Sequence, residues 1–257
     1  MNTKTDEDIL KFWDGRAAMG DLAGTNDFVL TKIEQAFLAE AIQRCSRVLD
    51  IGCGNGSSLI KLIVEKKCSG VGIDFSDKMV KLAKQAAQSQ GLGDHVEWHR
   101  RGVPPVPNEW GEFDIAYSQR CLINLKSVGQ QKEAVLSVKD TLKNGGIYIM
   151  MECFLEGAEE TNLLRRRLGL QAMDVPWHNL FFNLHEVKSW STPAFYLEKI
   201  IHVSSTYHFL SRVVNAKLAS DSGETLNYDA AINLLAARLP QEIGEFGPVK
   251  ACIWRKA

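Results

Sequence analysis

The chain lacks any apolar run approaching the ~20 residues needed to span a bilayer. Its opening stretch, Met1-Asn2-Thr3-Lys4-Thr5-Asp6-Glu7-Asp8, is polar and acidic rather than signal-like. Paired-cysteine motifs are missing too. Cys45, Cys53, Cys68, Cys121, Cys153 and Cys252 form no Cys-x-x-Cys, which argues for reduced, mostly buried thiols in an intracellular setting. His99, His185 and His202 have no metal-ligand spacing, so no metal is expected. Net charge is almost absent: 30 basic residues stand against 31 acidic ones, leaving −1. No bulk field therefore draws the chain to nucleic acid or to an anionic membrane. Repeats and low-complexity tracts are lacking. These absences leave a cytoplasmic globular protein. At 257 residues, 45% hydrophobic and 24% charged, it is expected to be one decorated domain, monomer or homodimer.

What is present is an alternation of short apolar strands and amphipathic helices. Residues 1–27 read as an arm containing a short helix. A helix follows over 28–42, with Val29, Ile33, Phe37 and Ala41 on one face and Asn26 or Asp27 as cap. Strands are expected at 48–51, 70–73, 95–99, 113–117 and 147–151. Helices are expected over 57–65, after Ser76, and through Ala134, Val135, Val138 and Leu142, the last stopping at Lys143-Asn144-Gly145-Gly146. Such βα alternation predicts an α/β fold: a doubly wound, mostly parallel sheet with helices on both faces and ligands at the carboxyl edge of the strands. Beyond the cofactor-binding core (28–154) comes an insertion over 155–190, expected to act with the amino-terminal arm as a lid over a compact substrate. Two late strands, near 197–204 and 249–254, flank a partly helical insertion at 206–246.

The most informative segment is Asp50-Ile51-Gly52-Cys53-Gly54-Asn55-Gly56. It places an acidic residue at a strand end and a glycine turn before a helix start, whose free N–H groups favour an anion. Asp50 would repel a pyrophosphate, and Ser57 stands where a dinucleotide fingerprint has its third glycine. A nicotinamide dehydrogenase is thereby disfavoured. A ligand with a cationic amine and no phosphate fits better.

Read in order, that segment, Gly72-Ile73-Asp74, Phe113-Asp114-Ile115-Ala116-Tyr117 and Leu142-Lys143-Asn144-Gly145-Gly146 resemble the class I S-adenosylmethionine-dependent methyltransferases. The resemblance covers about 28–153. The late strands resemble that family's terminal antiparallel hairpin, which makes seven strands in all. It implies S-adenosylmethionine as cofactor and S-adenosylhomocysteine as product. By position, Asp50 with Gly52, Gly54 and Asn55 would hold the methionine end, Asp74 the two ribose hydroxyls and Phe75 the adenine. Gln119 would approach the methionine moiety or the transferred methyl. Phe12-Trp13-Asp14-Gly15-Arg16 and Pro176-Trp177-His178-Asn179 look similar to bacterial methyltransferases of polysaccharide and natural-product pathways, which adds Trp13 and Arg16 to the cofactor set. One departure stands out. The family places an acid after the third strand, whereas His99-Arg100-Arg101-Gly102-Val103 has none, leaving the backbone of Gly102 and Val103 to read the adenine.

For the acceptor, His178 is the first candidate base and Tyr207 the second. Arg120 and Arg212 are candidates for an anionic group, with Glu152, Trp177 and Asn179 as further acceptor contacts. The expected activity is methyl transfer to an oxygen or nitrogen of a polar small molecule such as a sugar or phosphorylated metabolite. Aminopropyl transfer and a non-catalytic cofactor-binding module remain as alternatives.

Overall fold

A computed structural model describes residues 4–20 and 23–257; the expectations for Met1-Asn2-Thr3 and for positions 21–22 of the arm lie outside the described residues. The chain begins with helix α1 (Asp6–Ala17), started by a reciprocal capping box between Thr5 and Asp8. Helix α2 (Phe28–Ala41) follows, with the Asp27 carboxylate accepting from Leu30 N–H at its start. The alternation then runs β1 (Arg47–Ile51), α3 (Ser57–Lys66), β2 (Ser69–Asp74), α4 (Asp77–Ser89), β3 (Val96–Arg100), β4 (Phe113–Gln119), α5 (Val128–Ser137) and β5 (Leu142–Cys153). After it come α6 (Leu155–Arg167), α7 (Leu184–Ser189), β6 (Phe195–His202), α8 (Ser205–His208), a π-helical stretch (Phe209–Asn215), α9 (Ala216–Asp221), α10 (Ala231–Ala236) and β7 (Val249–Lys256).

The seven strands form one sheet in the order β3-β2-β1-β4-β5-β7-β6. The first five pair in parallel, and β7 lies antiparallel between β5 and β6, as the sequence predicts. Central strands read as apolar runs because both faces are covered. Leu49 and Ile51 of β1, Tyr117 of β4 and Ile149 of β5 are fully buried. Strand order reverses between β1 and β4, so the crevice above their carboxyl ends is the topological switch point where ligands of such sheets bind. Among the described residues no helix is long and apolar enough to cross a membrane.

One boundary differs from expectation. Lys143-Asn144-Gly145-Gly146 does not stop a helix: α5 ends at Ser137, a 3-10 turn covers Val138–Thr141, and Leu142 already pairs with Phe113 in the sheet. Lys143 bonds Asp114 across the strands at 2.5 Å, and a register shift between Phe113 and Ile115 absorbs the irregular start. Cross-strand pairing overrode a turn signal.

Candidate active site

Three strand ends and two loops surround a cavity of about 700 Å³ at the switch point. Its floor is the turn after β1. Gly52 has φ +78, and a methyl there would run into Cys121 Sγ; Gly56 has φ +80, and a methyl would come 2.6 Å from Trp98. Only glycine lets the turn lie this close to the neighbouring elements. Asp50, 2% exposed, receives the Tyr117 hydroxyl at 2.6 Å. Burial lifts its carboxyl to about 7, a rise opposed by the Tyr117 hydrogen bond and helped by the charge of Asp74. Asp74 ends β2 and accepts from Gly54 N–H at 3.0 Å and Ser76 N–H at 2.9 Å. Burial takes it to about 6, although those N–H groups pull it down.

Of the sequence-derived cofactor residues, Trp13, Asp50, Gly52, Gly54 and Asn55 line the cavity. So do Asp74, Phe75, Gly102, Val103 and Gln119, together with Arg120 from the acceptor set. Arg16 does not line it: it donates to the Ala23 carbonyl and to Asn26 Oδ1, tying the end of α1 to the following loop.

The roof is the amino-terminal arm. Asp6, Ile9 and Trp13 of α1, with Ala23, Gly24, Thr25 and Thr31, cover the cavity. The helix is held by Ser76 Oγ donating to Asp14 at 2.6 Å, Trp13 Nε1 donating to Asn124 Oδ1 at 3.3 Å, and a Lys126–Asp6 ion pair at 2.8 Å. No residue of 155–190, the other part of the expected lid, lines the cavity. Leu180 N–H bonds the Ile123 carbonyl and Phe182 bridges Phe154, which docks that insertion beside the end of β5 rather than above β1.

The acceptor candidates are therefore dispersed. The His178 ring stacks on Phe12 with centroids 4.2 Å apart, on α1 but outside the cavity, and Trp177 meets Phe12 edge-on. Burial and the positive charges of Lys4 and Arg16 lower His178 to about 4. Asn179 closes a turn onto the Pro176 carbonyl. Tyr207 and Arg212 both donate to Asp27, and Arg212 also lies over the Tyr228 ring at 4.2 Å. Glu152, wholly buried, accepts from Ser118 Oγ at 2.7 Å and from the N–H groups of Cys121, Leu122 and Ile123. It clamps the turn after β4, and burial raises it to about 7. None of these six side chains lines the cavity.

Sequence reasoning missed Glu34. This fully buried α2 carboxylate accepts from Gln119 Nε2 at 2.7 Å and lies 3.0 Å from Arg120 Nε. Its signal was legible: an acid between Leu30 and Leu38, one helical turn from each, on an apolar face.

Residues 48–146 match the family model described as a methyltransferase domain. The chain is 29% identical over 126 residues to a protein-lysine N-methyltransferase of Saccharomyces cerevisiae, covering 45% of this chain and 54% of the relative. It is 32% identical over 110 residues to a demethylmenaquinone methyltransferase of Lactiplantibacillus plantarum, covering 42% and 45%. The matched stretch thus spans about half the length of these curated relatives. Among solved structures, an S-adenosylmethionine-dependent methyltransferase from Thiobacillus denitrificans, in complex with S-adenosylhomocysteine, superposes with a TM-score of 0.53 at 17% identity, over 88% of this chain and 91% of that one. Residues 48–146 thus match a methyltransferase domain, and the seven-stranded sheet has the Rossmann-like fold of S-adenosylmethionine-dependent methyltransferases of known structure.

Proposed function

We infer that the cavity binds S-adenosylmethionine and that the protein transfers its methyl group to an oxygen or nitrogen of a polar small molecule. The observation that carries this reading is the pair of buried carboxylates, Asp50 and Asp74, flanking a bare glycine turn at the switch point. A buried carboxylate held near neutrality is relieved by a cation, so an ammonium beside Asp50 suits the site where a pyrophosphate would not. Asp74 has acceptor capacity left for ribose hydroxyls beyond its two N–H partners. Phe75 and the Gly102–Val103 backbone form the adenine end.

When bound, the cofactor supplies a methyl already activated by its sulfonium. The chain's own contribution is then alignment of a nucleophile at ~3–3.5 Å and exclusion of water. Trp13, Ile9 and Leu125 give the cavity an apolar cover, while Thr25, Thr31, Asn124, Gln130 and Glu133 offer polar contacts to an acceptor. Among the described residues the lining holds neither histidine nor tyrosine. An acceptor that needs little proton removal, such as an amine or an anionic oxygen, suits that lining best.

The test is a screen of amino sugars, sugar nucleotides and phosphorylated metabolites with S-adenosylmethionine, read as S-adenosylhomocysteine release. Acceptor-dependent release supports the reading. Binding of NAD without binding of S-adenosylmethionine would overturn it.

A further inference from the structure

The wall of the cavity beside β4 is built on a carboxylate that does not itself line it. Glu34 sits two turns along α2 from Asp27, and its side chain is wholly buried. One of its oxygens receives Gln119 Nε2 at 2.7 Å; the other lies 3.0 Å from Arg120 Nε. Gln119 is gripped from its other end as well, because Ser58 Oγ donates to Gln119 Oε1 at 2.7 Å. The amide is thereby oriented: its N–H side faces α2 and its carbonyl faces α3. Arg120 follows in a left-handed backbone conformation, φ +50, which a non-glycine residue adopts only when its surroundings hold it there. Both Gln119 and Arg120 line the cavity, and Glu34 does not.

Sheet order shows which part of the ligand this wall meets. β2, carrying Asp74, and β4, carrying Gln119, lie on opposite sides of β1. With the ribose at Asp74, the β4 side receives the methionine end of the donor.

We propose that Glu34 is a positioning residue. It fixes the Gln119 amide and the Arg120 guanidinium at the edge of β4, and through them the methionine portion of the donor. This rests on the S-adenosylmethionine reading above. Without the carboxylate charge, Arg120 is left uncompensated against α2 and Gln119 loses the partner that sets its amide, while the ribose and adenine end keeps every contact.

The experiment is calorimetric titration of the full chain and its Glu34→Gln variant with two ligands. S-adenosylhomocysteine carries the methionine end; 5′-methylthioadenosine shares the nucleoside but lacks it. The expected result is a loss of about tenfold in S-adenosylhomocysteine affinity, the scale of one charge-assisted hydrogen bond. Affinity for 5′-methylthioadenosine should stay within about twofold. In the Glu34→Gln background, a further Gln119→Ala change should cost less than it does in the wild type, because the two act as one unit. Equal losses for both ligands, or no loss for either, would overturn the proposal, as would full additivity. If Glu34→Gln does not fold, Ser58→Ala carries the test by releasing the other end of Gln119. A loss of about threefold confined to S-adenosylhomocysteine supports the proposal, and an equal or absent effect overturns it. Wild-type protein binding neither ligand would instead remove the functional reading on which the proposal rests.

Discussion

The edge of the parallel half-sheet and the two insertions carry similar kinds of polar side chain, yet they use them differently. At the strand ends Asp50, Asp74, Gln119 and Arg120 reach the cavity because topology delivers them there: each ends or follows a strand beside the switch point. In the insertions Tyr207 and Arg212 donate to Asp27, while His178 stacks on Phe12. Strand ends beside the switch point face the cavity, whereas Glu152, one strand further out on β5, is turned onto the loop after β4. An insertion can fold back, and its side chains then pack against whatever part of the protein it meets, as Tyr207 and Arg212 do on Asp27.

The comparison breaks or holds on four substitutions and conditions. The largest effect is expected at Arg212→Ala, which leaves the Asp27 carboxylate buried without its cation. Loss of one partner from such a pair costs about 3–5 kcal/mol, readable as a lowered urea midpoint, while S-adenosylhomocysteine affinity measured on the folded protein stays near wild type. A variant with wild-type stability and lost affinity would move Arg212 from scaffold to site. Next comes Asp74→Ala, predicted to weaken S-adenosylhomocysteine binding about 100-fold, or ~2.7 kcal/mol, by removing the acceptor for two ribose hydroxyls. Calorimetry reads it directly.

Third is the pH dependence of the donor site. Asp50 and Asp74 have folded-state values raised to about 7 and about 6 from 3.8. Their contribution to folding stability is thus fully present below about 4 and is lost as pH rises through 6 and 7. Pairing with a ligand's ammonium runs the other way, since it needs ionised Asp50. Affinity for S-adenosylhomocysteine should fall about tenfold from pH 8 to pH 6, and Asp50→Asn should flatten that slope while weakening binding at pH 8. An unchanged slope in Asp50→Asn would assign the titration elsewhere. The smallest effect belongs to His178→Ala. Removing a ring stacked behind α1 should cost about 1 kcal/mol of stability and change turnover by no more than about twofold. A loss of 100-fold in kcat with an intact fold would restore His178 as a catalytic group.

The sheet was legible in the sequence because buried parallel strands read as short apolar runs between glycine- and acid-bearing turns. Val48 to Ile51 and Gly70 to Ile73 are examples, and each strand extends by a residue or more in the structure. The floor of the site was legible for the same reason: Gly52 and Asp74 serve the backbone's own geometry as well as a ligand. Three things were less so. The start of β5 was hidden behind glycines at 145 and 146 that signal a stop, though Leu142 pairs across the sheet. The arm and 155–190 together read as a lid, yet only the arm lines the cavity, because whether a segment covers a site depends on long-range docking such as Leu180 on Ile123, which no local pattern encodes. Glu34 was passed over because a helix reading asks which residues are apolar, and the informative residue was the charged one on the apolar face.

The most direct measurement of the central claim is a crystal structure of the protein with S-adenosylhomocysteine. The account predicts the ligand across the ends of β2, β1 and β4, with ribose hydroxyls on Asp74, the amino group beside Asp50 and the methionine end against Gln119, under the cover of Trp13. Ligand bound away from this edge, or contacted by His178 or Tyr207 in place of these groups, would contradict it.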